Sequence, residues 1–524
     1  MDYQILPHTS QHWEITKPAA SGRRGIVVAQ ARAAAAAGIA VLEAGGNAID
    51  AAVATGFALA VVEPWNSGLG GIGFALVQPE GAARAEVVDF GPKAPAGLDP
   101  SRFPLTGRVK QDLFAWPEVV DDANIHGPLS FVVPMTVAGY AMMHQRWGRL
   151  ALADVMAPAV ALARRGLPAD WFTTLKIANS AAVLRRYPES ARIYLPEGLP
   201  PVAPYQGTPG FLHLGRLAET LERLRREGLA DFYQGEIAQA LIADVAAMGG
   251  ALTAADLRGA EARVLPAMAV SYHGRVWQLA GGLTAAPTLA GVLARLETIP
   301  HGGQPDAAWF AALARTLKAG YAERLAGLGD AEPKGADSCT THFTVCDAAG
   351  GMVAVTSTLL SSMGSRVVLP QTGVLMNNGV MWFDPRPGQP NAVAPGKRPL
   401  TNMCPVIIRE GARPMLAGGG SGGRRIMAAV LQTLAFVTDF ALTPEAAAHH
   451  PRIDVSDAET VHADRRLAPE IVAALRETGA VEVVEHGVLP INFACPNFIL
   501  ADASGMRTGI SDVQSPWSAA LAEG

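Results

Sequence analysis

Two threonines, Thr340 and Thr358, are the residues of this 524-residue chain whose placement most directly suggests chemistry. The runs HFTVCD (342–347) and MVAVTST (352–358) are strand-like, and AAGG between them is a short hairpin turn. A hairpin centred near residue 349 opposes Thr340 to Thr358. Opposed residues in such a ladder have Cβ atoms about 4.5–5.5 Å apart, so two hydroxyls meet at its open end. Threonine is common in strands, and in an arbitrary hairpin that suffices as an explanation. Here the polar segment GDAEPKGADSC (329–339) ahead of Thr340 and a Gly-rich turn downstream weigh against it. A threonine with a free α-amine carries nucleophile and general base in one residue. That amine titrates near pH 7.7–8.0, so at neutral pH a useful fraction can take the hydroxyl proton. To expose it, the chain must cut itself between Cys339 and Thr340. The hydroxyl attacks the preceding carbonyl, the acyl group shifts from nitrogen to oxygen, and water hydrolyses the ester.

Other chemistries are poorly supported. His342 sits alone in its strand and reads as a packed histidine, and no cluster has metal-ligand spacing, so neither metal nor cofactor is expected. GLGGIGF (68–74) lacks the strand–glycine–helix order of a dinucleotide loop, because a helix precedes it and a strand follows. Four cysteines, Cys339, Cys346, Cys404 and Cys495, form no CxxC pair and read as buried thiols.

The elements that must position the threonines follow from periodicity. ARAAAAAGIAVLEA ends at Gly45-Gly46, and Asn47 caps a second helix, AIDAAVATGFALAVV. After Pro64 and the glycine loop come the strands FALV and AEVVDF. Residues 127–260 carry mainly helical spacing, and a further helix spans about 307–328. From Thr340 the chain turns β-rich, with GVLMNN, MCPVII, PMLAGG and NFILAD, and a helix follows GGRR. The chemical division near residue 340 therefore does not separate two cores.

Hydrophobic residues at 49 % and charged residues at 17 % describe a compact soluble protein with a large interior. Lys and Arg total 42 against 47 Asp and Glu, a net charge of -5 without a long basic run, which argues against nucleic acid. The N-terminus has no apolar core of the signal-peptide kind, and no segment offers the roughly 18 apolar residues of a membrane span. Cytoplasm and no membrane partner are the expectations.

EAGGNAIDAAVATGFALAVVEP with GLGGIGF, then TTHFTV, KRPLTNMCP and GGGSGGRRI, resemble in order the segments of the γ-glutamyltransferase family. The resemblance spans nearly the whole chain. It implies an α+β fold, the N-terminal-nucleophile four-layer αββα sandwich, with a largely helical lobe (127–330) inside a large subunit (1–339) and a small subunit (340–524). It implies Thr340 as nucleophile, Thr358 as its hydrogen-bond partner, and Gly422 and Gly423 as oxyanion-hole donors. A Gly-Gly turn can present backbone N–H groups to a developing oxyanion, although SGGRR also reads as a helix-entry loop. The implied partners are a small-molecule amide substrate and the two subunits of one precursor, with a dimer of processed heterodimers left open.

The pattern departs at the residues that grip an α-amino acid in glutathione-using members. DFGPKAP has Gly91 where they carry arginine, Leu360 replaces an asparagine, and Trp382 stands in place of an acidic residue. Their paired serines are Thr401 and Asn402, and the loop between Phe383 and KRPL is short. Each lost charge-assisted bond is worth about 1.5–3 kcal/mol, so the chemistry is expected intact and the recognition changed. Trp382 and Leu360 suggest a smaller, less polar acyl pocket. Arg366 lies just beyond the hairpin and either anchors a substrate carboxylate or sits on the surface. An inward Arg366 fits a compact acid amide, as in the oxamate amidohydrolase branch of the family. The alternatives are a γ-glutamyl transpeptidase or glutathione hydrolase with replaced donor contacts, and a non-catalytic scaffold.

Overall fold

The computed structural model describes residues 15–109, 117–328, 338–489 and 491–524. Most of the polar segment ahead of Thr340, residues 329–337, lies outside them. Two seven-stranded antiparallel sheets form the centre. The first runs Ala519–Ala522, Ile26–Ala29, Ser338–Cys346, Met352–Ser361, Ile72–Gln78, Glu86–Phe90, Arg263–Pro266. In the second the order is Ala20–Gly22, Arg507–Ser511, Cys495–Ala501, Arg413–Ser421, Val406–Glu410, Arg275–Leu279, Met268–Tyr272. The sheets pack face to face through the Ser338–Cys346 strand against Arg413–Ser421 and Cys495–Ala501. Helices α1 (Arg32–Glu43) and α2 (Ala48–Val62) cover the first sheet, and the helices Ala286–Leu296 and Ile426–Thr438 cover the second. The result is the αββα sandwich.

Composition explains the outer layer on the active side. Every residue of α2 is buried, which suits a helix that is apolar all round and enclosed between sheet and lobe. The Asn47 side chain accepts from Ile49 and Asp50 N–H, and Asp50 answers to the Asn47 N–H, a complete capping box. Close approach to α1 needs Gly38, where a Cβ would lie 2.4 Å from Thr55 Oγ1. Eight helices between Thr136 and Arg258 form the lobe, which shares one hydrophobic core with the first sheet. Residues 263–279 interrupt the expected 127–330 helical stretch with three strands that edge both sheets. They are short, and two are largely exposed or half-buried, so little apolar periodicity marked them. GVLMNN makes only isolated bridges, Gly70 to Met376 and Val368 to Leu375, because Asn377 and Asn378 turn inward to bond loops. Cys346, Cys404 and Cys495 are free thiols. No helix of the described residues is long and apolar enough to cross a membrane.

Candidate active site

Thr340 reaches the site on a central strand. The ladder with Met352–Ser361 runs from Thr341↔Ser357 to Cys346↔Met352, which is the register set by the AAGG turn. Beyond Thr340 it resumes as Cys339↔Leu360 and Ser338↔Ser361. The register slips by one there, so Thr358 and Leu359 together face Thr340 across a β-bulge. Thr340 Oγ1 points its hydroxyl at Thr358 Oγ1, 3.4 Å away, a long O–H···O contact. Leu360 N–H donates to the same Thr358 oxygen at 2.8 Å. Leu360 does so with φ +88, a left-handed conformation that a branched side chain rarely adopts.

Backbone packing fixes Thr358 from behind. A Cβ at Gly71 would lie 2.7 Å from the Thr358 carbonyl, and one at Gly73 would lie 2.4 Å from that of Thr356. The GLGGIG run thus serves close main-chain approach to the hairpin. Asn377 locks the same region, accepting from Val132 and Gly379 N–H and donating to the Gly70 and Val132 carbonyls.

On the opposite sheet the Arg413–Ser421 strand ends at Gly422, φ +135, and Gly423, φ +63, opens a 3-10 turn into the Ile426–Thr438 helix. The angle at Gly422 suits glycine alone, and that at Gly423 favours it. Gly422 and Thr340 line one small cavity of about 50 Å³ with Gln30, Glu63, Lys176 and Ser421. Gln30 bridges the sheets, bonding Ser421 Oγ and accepting from His342 N–H at 3.3 Å.

Glu63, at the end of α2, is the carboxyl on the wall of the cavity. Burial pushes its carboxyl up from 4.5 to about 7, against the opposing hydrogen bonds from Thr341 and Asn66 and the charge of Lys176. Thr341 Oγ1 donates to Glu63 Oε2 at 2.7 Å, so this carboxyl touches the residue next to Thr340. Burial lowers His342 to about 3, and its ring nitrogens meet Thr356 and Thr344 hydroxyls at 2.9 and 3.1 Å. It is a neutral, satisfied core histidine.

The remaining candidates lie away from that cavity's lining. Leu360 and Trp382 are buried among apolar residues. Arg324, from the Ala307–Leu328 helix, holds the next pair, donating to the Thr401 carbonyl at 2.7 Å and to Asn402 Oδ1 at 3.0 Å. Arg366 is half-buried at φ +62, and its Nη1 donates to Ser361 Oγ at 2.7 Å and the Gly364 carbonyl at 2.6 Å. Its guanidinium is engaged by its own loop, and the cation on the cavity wall is Lys176. At Gly91 a Cβ would meet the Phe74 ring at 2.5 Å, so no longer side chain fits without moving that ring. Sequence reasoning missed Glu63, although a lone acid ending a 15-residue apolar helix was a visible signal. Lys176 gave none, since it comes from an ordinary lobe helix, Trp171–Leu184.

Comparison with known proteins identifies the family. The γ-glutamyltranspeptidase family model matches residues 34–338 and 331–515. A glutathione hydrolase proenzyme of Bacillus subtilis (strain 168) is 29% identical over 551 residues, covering 94% of this chain and 90% of the relative. An acylase ACY 1 proenzyme of Pseudomonas sp. (strain V22) is 31% identical over 479 residues, covering 83% of each. The cephalosporin acylase structure from Bacillus halodurans superposes with TM-score 0.82 at 23% identity over 99% of both chains, a likeness of fold. The chain therefore belongs to the γ-glutamyltranspeptidase family and is an N-terminal-nucleophile amide hydrolase.

Proposed function

We propose that the enzyme processes itself at Cys339–Thr340 and then hydrolyses a compact, oxamate-like acid amide through an ester on Thr340. The observation that carries this reading is the bulge, which aims Thr340 Oγ1 at Thr358 Oγ1 while Gly422 shares the cavity. In the precursor, Thr340 Oγ attacks the Cys339 carbonyl carbon. The peptide C–N bond breaks, its nitrogen takes a proton and becomes the α-amine, and water cleaves the ester to release the Cys339 carboxyl. In turnover that amine accepts the hydroxyl proton as Oγ attacks the substrate amide, and it returns the proton to the leaving amine. Gly422 and Gly423 N–H groups bind the oxyanion between those two steps, and water then cleaves the acyl ester, releasing the acid and restoring the Thr340 hydroxyl.

Three features support a small acid donor. Gly91 is backed by Phe74 where an arginine would stand, the cavity beside Thr340 is small, and Lys176 is the cation on its wall. A denaturing gel tests the processing: wild type and Thr340→Ser give two bands and Thr340→Ala one. Full processing or turnover in Thr340→Ala sinks the nucleophile assignment. Lys176→Met should raise KM for oxamate about tenfold, the loss of one charge-assisted bond, with KM for a neutral amide unchanged. Equal KM values for wild type and Lys176→Met remove the anchor. The similarity to a glutathione hydrolase favours a second reading, γ-glutamyl hydrolysis, which rapid turnover of a γ-glutamyl anilide would establish instead.

A further inference from the structure

At the edge of the second sheet, His273, His301 and Asp439 converge with their ligand atoms within 4.8 Å of one another. They come from three elements. His273 occupies the tight turn between Met268–Tyr272 and Arg275–Leu279, His301 lies before the Ala307–Leu328 helix, and Asp439 ends the Ile426–Thr438 helix. We infer that this trio is a binding site for a zinc-class divalent cation, with His273 Nδ1, a ring nitrogen of His301 and Asp439 Oδ2 as ligands.

Four observations carry the assignment. First, bonds of about 2.0–2.1 Å at tetrahedral angles set neighbouring ligand atoms about 3.4 Å apart. His273 Nδ1 and Asp439 Oδ2 stand 3.4 Å apart. Second, His273 Nδ1 is buried without a hydrogen bond, while the Asp439 side chain is fully buried. A buried acceptor nitrogen facing a buried carboxylate is costly unless a cation or proton lies between them. Third, Asp439 is oriented by donors that leave lone pairs free: Tyr272 O–H bonds Oδ2 at 2.8 Å and Thr438 O–H bonds Oδ1 at 2.8 Å. Metal-ligating carboxylates are held by such outer partners. Fourth, His273 sits at φ +45, a turn position that favours glycine or asparagine, and its backbone N–H is held by Glu297 Oε2 at 2.7 Å. Its ring stacks on Tyr272 at 4.0 Å. The ring is thereby fixed toward Asp439. His301 is exposed and rests against Phe440, so rotation of its side chain closes the third bond and leaves a fourth position for water. Two imidazoles and one carboxylate select zinc or its neighbours over magnesium and calcium.

Isothermal titration of chelator-treated enzyme with zinc chloride tests the site. Wild type should bind one equivalent, and His301→Ala, an exposed substitution that spares the fold, should bind at least tenfold more weakly. Cobalt in place of zinc should give visible d–d absorption in wild type and lose it in His301→Ala. Zinc should raise the Tm of wild type and not that of the variant. Equal affinity in both proteins, no binding in wild type, or equal competition by magnesium overturns the inference. Amide turnover is not the readout, so failure here is distinguishable from failure of the catalytic reading.

Discussion

Thr358 and Glu63 hold the two hydroxyls of the Thr340–Thr341 pair from opposite sides, one with an oxygen and the other with a buried carboxyl. The carboxyl has a measurable consequence. Glu63 binds its proton up to about pH 7 when folded but only to about 4.5 unfolded. Between those values the folded carboxyl holds its proton more often than the unfolded one, so the stability that Glu63 contributes falls as pH rises from about 4.5 to about 7 and stays lower above it. Glu63→Gln removes that penalty. Thermal unfolding should show the variant gaining Tm on wild type as pH moves from 5 to 8.5; a Tm difference independent of pH contradicts the buried-acid account. His342, held neutral when folded but free to protonate below about pH 6.5 when unfolded, adds a slope of the opposite sign, which is common to wild type and Glu63→Gln and cancels in their difference. At this scale the sequence was informative about geometry, as in setting Thr358 across from Thr340. It left Arg366 open between a substrate anchor and a surface position, because a charged residue near a site does not reveal which local carbonyl or hydroxyl will capture it.

The hairpin shows what local pattern can and cannot specify. The four-residue turn set its register from Thr341 to Cys346, since the strand residues on either side of it must pair first. The bulge at Thr340 was not legible, because it arises from packing of Leu360 and the glycine loop rather than from either strand alone. The two N-terminal helices were readable for the opposite reason: caps and stops are local chemistry. Edge strands such as Met268–Tyr272 depend on a distant partner and left little trace. The glycine loop makes the element-scale prediction. Gly71→Ala forces a methyl against the Thr358 carbonyl and should cost about 1–3 kcal/mol in stability. It should also slow processing on a gel time course, whereas Gly210→Ala, whose Cβ meets nothing within 4 Å, should process at the wild-type rate. Equal processing rates for the two variants would show that the loop does not hold the hairpin.

Across the whole molecule, the strands before and after residue 340 are interleaved. Ile26–Ala29 pairs with both Ser338–Cys346 and Ala519–Ala522, and Ile72–Gln78 pairs with Met352–Ser361. The second sheet alternates in the same manner, with Arg275–Leu279 on Val406–Glu410 and Ala20–Gly22 on Arg507–Ser511. Family resemblance gave the sandwich, but this interlacing follows only from the strand order. Scission at 339–340 would leave the halves tied by ladders on both sides, so they would part only on global unfolding. Their recombination would then be a second-order event. The nicked enzyme should regain structure after denaturant dilution at a rate that rises with protein concentration, while Thr340→Ala, still one chain, should refold at a concentration-independent rate. Stopped-flow fluorescence at several dilutions distinguishes the two, and identical first-order behaviour would mean that the pieces never truly separate. Such a protein would assemble most readily from an intact translation product, and recovery of its nicked form after heating would depend on how crowded the two pieces are.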